Sequence, residues 1–173
     1  MAIKVAIVED NEKIREGLAT LIDGSEGFQC SATYETAEEA LRYLPAYKPD
    51  VVLMDIQLPK MSGIECVEKL KERCPNTQVM MLTVYEDDEK VFQSLVAGAT
   101  GYILKRTPPA ELMQAIRDIH EGGSPMSDQI ARKVVQAFQK LGKSSNGDRE
   151  SFRARTGITL FSCQGLPRPR DCR

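Results

Sequence analysis

An unbroken apolar run, Val51–Met54, ends at the acidic residue Asp55, and this feature constrains the fold more than any other. A run without polar alternation predicts a strand buried on both faces, as in parallel sheets covered by helices. A carboxylate directly after such a strand lies at the edge where open α/β sheets bind ligands. A similar run, Ile3–Val8, precedes the acid pair Glu9 and Asp10, so two strands deliver three carboxylates to one edge.

Strand-like and helix-like patterns alternate along most of the chain. The predicted strands cover residues 3–8, 28–34, 51–54, 79–83 and 101–104. An amphipathic helical pattern follows each strand, and parallel strands need such crossovers, so the chain predicts a doubly wound α/β fold with a five-stranded parallel sheet. Right-handed crossovers favour the flavodoxin-like order 2-1-3-4-5. Its switch point lies between strands one and three, the two strands that end in acids.

Composition is typical of a globular protein. Hydrophobic residues make up 42% of the 173, and no apolar stretch approaches the ~20 residues that a membrane-spanning helix needs. The N-terminal residues do not resemble a secretory signal, and the five cysteines lack metal-type spacing, which favours reduced thiols and a cytoplasmic location. Residues 1–148 are net acidic, so this part is unsuited to binding nucleic acid by itself.

Two further strand ends carry groups suited to phosphate. Thr83 offers a hydroxyl and Lys105 an ammonium, at the same edge as Asp55. Three carboxylates near one point favour a hard cation such as Mg²⁺, which prefers oxygen ligands and commonly bridges to phosphate. The set therefore predicts a phosphoryl-transfer site in which Asp55 is the nucleophile and forms an acyl phosphate.

These residues, in this order, resemble the receiver domain of bacterial two-component response regulators. The residues that carry the resemblance are Glu9, Asp10, Asp55, Thr83, and the segments 53–63 and 101–105. The resemblance covers about residues 1–121, the predicted receiver domain. It implies that Asp55 accepts phosphate from a sensor histidine kinase, and that the chain is a signalling domain and not an enzyme.

The resemblance also implies roles for the other residues. The implied ligands of Mg²⁺ (or Mn²⁺) are Glu9, Asp10, Asp55 and the backbone carbonyl of Gln57. Thr83 and Lys105 would bind phosphoryl oxygens. Thr83 and Tyr102 would switch on phosphorylation and change the face formed by the fourth helix, fifth strand and fifth helix. Homodimer formation on phosphorylation is a further expectation.

The rest of the chain is predicted to be a linker and a tail. Residues 122–148 form the linker, with a helix at about 127–141, and 149–173 show neither helical nor strand periodicity. The segments 105–112 and 122–127 resemble the NarL/FixJ (LuxR-type) branch, in which such a helix leads to a helix-turn-helix DNA-binding domain. That domain is expected near residue 149 and is absent there, so DNA binding and transcriptional control are implied only for the intact protein.

The tail has two interpretations. Residues 149–173 carry six Arg and two acids, and their composition is typical of disorder. The codons that can encode this segment also allow a second sequence when they are read one nucleotide later, and that sequence resembles the start of a LuxR-type domain. This resemblance favours an out-of-frame, non-native tail. The alternative is a genuine basic tail that binds nucleic acid or a partner.

Two other functions are compatible with parts of the pattern. A stand-alone receiver would signal through protein contacts alone, but the predicted linker helix argues against it. An aspartyl-phosphate phosphatase resembling the haloacid dehalogenase family would need a second Asp two residues after the nucleophile, where this chain has Gln57.

Overall fold

The computed structural model describes residues 2–84 and 87–143, with side chains described as far as Gln139. Strands and helices alternate, and one more helix follows the fifth pair. The strands are β1 (Ile3–Val8), β2 (Phe28–Tyr34), β3 (Val51–Met54), β4 (Gln78–Thr83) and β5 (Gly101–Leu104). The helices are α1 (Glu12–Asp23), α2 (Ala37–Tyr47), α3 (Gly63–Arg73), α4 (Asp88–Val96), α5 (Pro109–His120) and α6 (Asp128–Lys143).

The strands form one five-stranded parallel sheet in the order β2-β1-β3-β4-β5. This confirms the predicted flavodoxin-like topology, and the only difference in strand bounds is that β4 begins one residue earlier, at Gln78. The switch point lies between β1 and β3, as expected. Val8 of β1 pairs with Met54 of β3, which brings the two acid-bearing strand ends level with each other.

Helices cover both faces of the sheet, and β3 is buried on each side. Val52 and Met54 lie in a core with residues of α2, α3, α4 and α6. Val51 and Leu53 lie in a second core with residues of α1 and α5. Because successive strand residues point to opposite faces, a strand between two cores needs an apolar residue at every position. The doubly wound arrangement is therefore confirmed.

Polar side chains determine where several helices begin. Asn11, Thr36 and Asp87 precede α1, α2 and α4, and each accepts a hydrogen bond from a first-turn backbone N–H. Ser62 and Glu65 form a reciprocal capping box at the start of α3, as their spacing predicts. Caps of this kind contribute about 1 kcal/mol each to stability, so these residues set the boundaries of the connecting loops.

Helix α6 packs against the rest of the domain through one face. Ile130 is fully buried in the core on that side of the sheet. Nearer the surface, Lys133 Nζ lies 2.7 Å from Asp88 Oδ1 of α4. The rings of Phe138 and Phe92 meet edge to face, with centroids 6.2 Å apart. The predicted linker helix thus contacts α4 through an ion pair and a ring pair, and it reaches the core through Ile130.

Residues Met1–Phe138 form one compact unit. A second unit, Gln139–Arg173, is described only as far as Lys143, the last residue of α6. The predicted tail at 149–173 lies outside the described residues, so its interpretation stays a prediction. Among the helices that the structure describes, none has the length and apolar character needed to cross a membrane.

Candidate functional site

The three predicted acids lie together at the carboxyl edge of the sheet. Glu9 and Asp10 follow β1, Asp55 follows β3, and one carboxylate oxygen of each lies within 4.8 Å of the others. The backbone brings them together, because the Asp55 N–H donates to the Val8 carbonyl (3.0 Å) and extends the contact between the two strands. Glu9 is 2% exposed and Asp55 is 5% exposed, whereas Asp10 faces solvent.

Lys105 supplies positive charge inside this cluster. Its Nζ lies 2.6 Å from Glu9 Oε2 and 2.9 Å from Asp55 Oδ2. The Lys105 N–H donates to the Thr83 carbonyl (2.9 Å), so the ends of β4 and β5 hold these two residues side by side. One ammonium among three carboxylates leaves a net negative charge, so the cluster still favours a cation.

Burial and neighbouring charges shift two pKa values in the cluster. Removal from water raises the pKa of Glu9, and the Asp55 charge adds to this rise, although the Lys105 ammonium opposes it. Burial alone would lower the pKa of Lys105, but its hydrogen bonds to Glu9 and Asp55, together with their charges, outweigh burial and raise that pKa. Ionised Glu9 is therefore held in the domain at an energetic cost.

Replacing Glu9 with Gln is expected to change how stability depends on pH in metal-free buffer. The pKa of Glu9 in the folded state is raised above the ordinary value of 4.5, so the folded state binds this proton more tightly than the unfolded state. The tighter binding of this proton therefore stabilises the folded state. The stabilisation is complete below about pH 4.5 and is lost as the pH rises through the pKa of Glu9 in the folded state. The wild type should therefore lose free energy of unfolding relative to Glu9→Gln over that window.

Urea unfolding followed by circular dichroism, with a chelator present, would measure this difference from acidic to neutral pH. Glu16→Gln is the matched control, because it makes the same chemical change at an exposed position of α1. A difference between the wild type and Glu9→Gln that is constant, or that grows in favour of the wild type as the pH rises, would contradict the cost assigned to ionised Glu9.

The loop from β3 to α3 holds Asp55 through backbone contacts. The Ile56 N–H donates to Asp55 Oδ1 (2.7 Å), and the Gly63 N–H donates to the Ile56 carbonyl (2.9 Å). A Cβ on Gly63 would lie 1.8 Å from the Asp55 carbonyl oxygen, so any side chain there would push the loop away from Asp55. In the same loop, Lys60 has a left-handed backbone with φ of 67°, and Gln57 is exposed.

The two predicted switch residues, Thr83 and Tyr102, are both fully buried. Thr83 is the last residue of β4, and Tyr102 is the second residue of the neighbouring strand β5. The Tyr102 N–H donates to the Pro125 carbonyl (3.0 Å), and Tyr102 also pairs with Met126 in an isolated parallel β-bridge. Tyr102 therefore connects β5 to the segment that leads into α6, and its ring lies inside the domain.

Arg15 contacts the acid-bearing loop and was missed by the sequence analysis. Its Nη1 donates to the carbonyls of Glu9 (2.7 Å) and Asp10 (3.2 Å). Both acceptors are backbone atoms, so no pairing of residue types in the sequence indicates these bonds. The one available signal is position, because Arg15 lies one helical turn after the cap residue Asn11 and so close to the acid pair.

The cluster fits a divalent cation of the Mg²⁺ type. Mg²⁺ binds oxygen ligands at about 2.0–2.1 Å, so two of its ligands lie at most ~4.2 Å apart unless a water intervenes. The three carboxylates offer oxygens near this spacing, and Asp10 opens the cluster to solvent. A donor set of carboxylate oxygens without sulfur or imidazole also suits a hard cation.

A doubly wound parallel sheet with acids, a threonine and a lysine at its carboxyl edge defines the receiver class of signalling domains. The sequence profile described as "Response regulator receiver domain" matches residues 5–117. The chain therefore belongs to the response regulator receiver family of two-component systems, as its residues predicted.

Curated relatives include transcriptional regulators. The chain is 30% identical over 139 residues to the transcriptional regulatory protein DegU of Brevibacillus brevis, a match that covers 80% of this chain and 59% of DegU. It is 34% identical over 164 residues to the response regulator GacA of Pseudomonas syringae, covering 94% of this chain and 77% of GacA. The chain therefore spans less than two thirds of DegU and about three quarters of GacA.

Solved structures agree with these relatives. The crystal structure of a LuxR-family two-component response regulator from an Aurantimonas species matches with a TM-score of 0.74 and 31% identity. The match covers 79% of this chain and 98% of that chain. Together with the curated relatives, it confirms the predicted NarL/FixJ (LuxR-type) branch.

Proposed function

We propose that the chain accepts a phosphoryl group on Asp55 from a sensor histidine kinase in the cytoplasm, with Mg²⁺ or Mn²⁺ bound. The observation that carries the proposal is the setting of Asp55. It is a buried carboxylate whose Oδ2 lies 2.9 Å from Lys105 Nζ, beside the acid pair Glu9 and Asp10. The chain would act as a phosphoacceptor in signalling and would not turn over a substrate.

Asp55 would attack phosphorus through a carboxylate oxygen. A bond forms from that oxygen to phosphorus while the bond to the donor nitrogen or oxygen breaks, and the donor leaves with the electron pair. The Ile56 N–H holds Oδ1 at 2.7 Å, so we assign the new bond to Oδ2, which is now paired with Lys105. Burial of Asp55 limits access of water to the product and slows its hydrolysis.

The neighbouring side chains would orient the phosphoryl group and neutralise its charge. Lys105 would move from Asp55 to a phosphoryl oxygen, which is a short displacement because its Nζ is already 2.9 Å from Oδ2. The Thr83 hydroxyl would donate to another phosphoryl oxygen. A bound Mg²⁺ would supply further positive charge, which is the main requirement of phosphoryl transfer. The metal ligands that we assign are Glu9, Asp10, Asp55 and the backbone carbonyl of Gln57.

Phosphorylation would place new negative charge next to Thr83 and so start a conformational switch. We assign Thr83 and Tyr102 to this switch because both are buried on neighbouring strands at the phosphoacceptor edge of the sheet. The face that would change is that of α4, β5 and α5. Helix α6 also lies on α4 through the Lys133–Asp88 ion pair. Homodimer formation by the phosphorylated chain is part of the proposal.

Transcriptional control is the output that we propose for the intact protein. DegU is named as a transcriptional regulatory protein, and the structural relative is a LuxR-family response regulator. DNA would be contacted through a LuxR-type domain, and the start of that domain would be encoded by the codons of 149–173 in a shifted frame. Sequencing the coding DNA tests this part, because stop codons or a missing LuxR-type pattern in that frame would contradict it.

The full chain is expected to gain the mass of one phosphoryl group when it is incubated with acetyl phosphate and Mg²⁺. Intact-protein mass spectrometry measures the gain, and a chelator should prevent it. Borohydride reduces an acyl phosphate to an alcohol, so peptide mapping after reduction should locate the modification at Asp55. No gain in the presence of Mg²⁺, or a gain at another residue, would overturn the proposal.

A further inference from the structure

One side chain of α1 holds the loop that carries the acid pair. Nη1 of Arg15 lies 2.7 Å from the Glu9 carbonyl oxygen and 3.2 Å from the Asp10 carbonyl oxygen. The Glu9 N–H is held separately by the Tyr34 carbonyl at the end of β2 (3.0 Å). Three consecutive peptide units around the acid pair are therefore fixed by hydrogen bonds.

This backbone clamp is important because the side chain of Asp10 has little support of its own. The Asp10 carboxylate is exposed, and within residues 2–84 and 87–143 no hydrogen bond or ion pair reaches it. Glu9, by contrast, is buried and pairs with Lys105 at 2.6 Å. The position of Asp10 relative to Glu9 and Asp55 thus depends on the backbone. Arg15 holds that backbone at two carbonyls, and Glu9 Oε1 accepts a longer hydrogen bond from the Asn11 N–H (3.3 Å).

We propose that Arg15 is a positioning residue for the divalent-cation site and acts through the carbonyls of Glu9 and Asp10. The inference rests on the proposed function, because it concerns the same metal ligands. Arg15 would not touch the cation but would keep the Asp10 carboxylate at the distance from its neighbours that the cluster needs. A loop without this clamp would lose conformational entropy on binding the ion, and the affinity would fall.

Two physical effects of Arg15 on cation binding have opposite signs. The guanidinium is a positive charge close to the site, so Coulomb's law predicts that its removal strengthens binding. Loss of the clamp weakens binding, and loss of groups that orient metal ligands commonly lowers affinity by about 10–100-fold. We expect the second effect to dominate, because Arg15 is only partly buried, so that water and salt screen its charge, while its hydrogen bonds are specific to the loop.

Titration with Mn²⁺, followed by electron paramagnetic resonance of the free ion, would measure the affinity of the full chain. Arg15→Met should bind Mn²⁺ about tenfold more weakly than the wild type. Arg15→Lys keeps a donor and a charge, so its affinity should lie between those two. Lys13→Met is the matched control, because it removes an exposed positive charge from the same helix and leaves the Arg15 clamp in place. It should bind Mn²⁺ at least as tightly as the wild type.

Equal or tighter binding by Arg15→Met than by the wild type would overturn the inference and leave the proposed function intact. An equal loss in Lys13→Met and Arg15→Met would also overturn it, because a residue outside the clamp would then have the same effect as Arg15. Absence of Mn²⁺ binding by the wild type would contradict the proposed function itself. If circular dichroism shows that Arg15→Met is unfolded, Arg15→Lys decides, since only binding weaker than the wild type supports the clamp.

Discussion

Asp55→Asn is expected to abolish phosphoryl uptake and to leave the fold intact. A carboxylate oxygen can attack phosphorus and hold the product as an acyl phosphate, whereas a neutral amide is too weak a nucleophile to do so. With acetyl phosphate and Mg²⁺, the wild type should gain the mass of one phosphoryl group and Asp55→Asn should gain none. This is the largest functional effect that we expect from any single substitution.

The contacts of Asp55 explain why the fold should survive. Asp55 accepts a hydrogen bond from the Ile56 N–H through Oδ1 and one from Lys105 through Oδ2. Asn has a single carbonyl oxygen, so one donor loses its acceptor, at a cost of about 1 kcal/mol. The substitution also removes the charge that raises the pKa of Glu9, and this change stabilises ionised Glu9. Because the two effects oppose each other, the net change in free energy of unfolding should be within about 1 kcal/mol.

Asp128→Asn is the matched control for this experiment. Asp128 is an exposed acid in the first turn of α6 and lies outside the carboxylate cluster, so its variant should gain mass as the wild type does. Urea unfolding would show that Asp55→Asn is folded. Equal mass gain in the wild type and in Asp55→Asn would show that Asp55 is not the acceptor.

Ile130→Ala is expected to lower the free energy of unfolding by about 2–4 kcal/mol. The Ile130 side chain is 0% exposed and belongs to the core that also contains Tyr102 and Leu104 of β5. Truncation to Ala removes most of the buried hydrocarbon and leaves a cavity that the surrounding strands and helices fill only in part. Since domains have about 5–15 kcal/mol of stability in total, the loss would be easy to measure.

Val135→Ala is the matched control, because Val135 is on the same helix with 55% of its surface exposed. That substitution should change the free energy of unfolding by no more than about 0.5 kcal/mol. Urea unfolding curves measure both variants in the same way. A negligible loss in Ile130→Ala, or equal losses in the two variants, would contradict the packing of α6 onto the domain through Ile130.

Local chemistry explains why so much of the fold could be predicted. A strand between two cores must be apolar at every position, and Val51–Met54 satisfies this requirement within four residues. Helix starts are determined by equally local contacts, such as the one between Ser62 and Glu65. The strand order also followed from the pattern, because parallel strands with right-handed crossovers allow few topologies. Observed bounds differ from predicted ones at Gln78 and at the ends of α6, which continues through Gly142 to Lys143.

The acid cluster could be predicted from residues far apart in the chain because topology brings strand ends to one edge. Glu9, Asp10 and Asp55 are placed there by strands whose order the sequence predicts. The contacts inside the cluster could not be predicted in the same way. The pairing of Lys105 with Glu9 at 2.6 Å depends on how β1 and β5 are spaced by the intervening strands and on the conformations of both side chains.

The sequence by itself determined the class of the fold and the residues at its functional edge, since apolar periodicity, caps and strand-end chemistry are properties of short segments. Only the tertiary structure decided how these parts support one another. It decided that Arg15 binds the carbonyls of the acid pair, that Gly63 approaches Asp55 without room for a Cβ, and that Ile130 of α6 is buried in the core. Backbone acceptors and packing distances have no residue-type signature, because they arise only when distant segments are brought together.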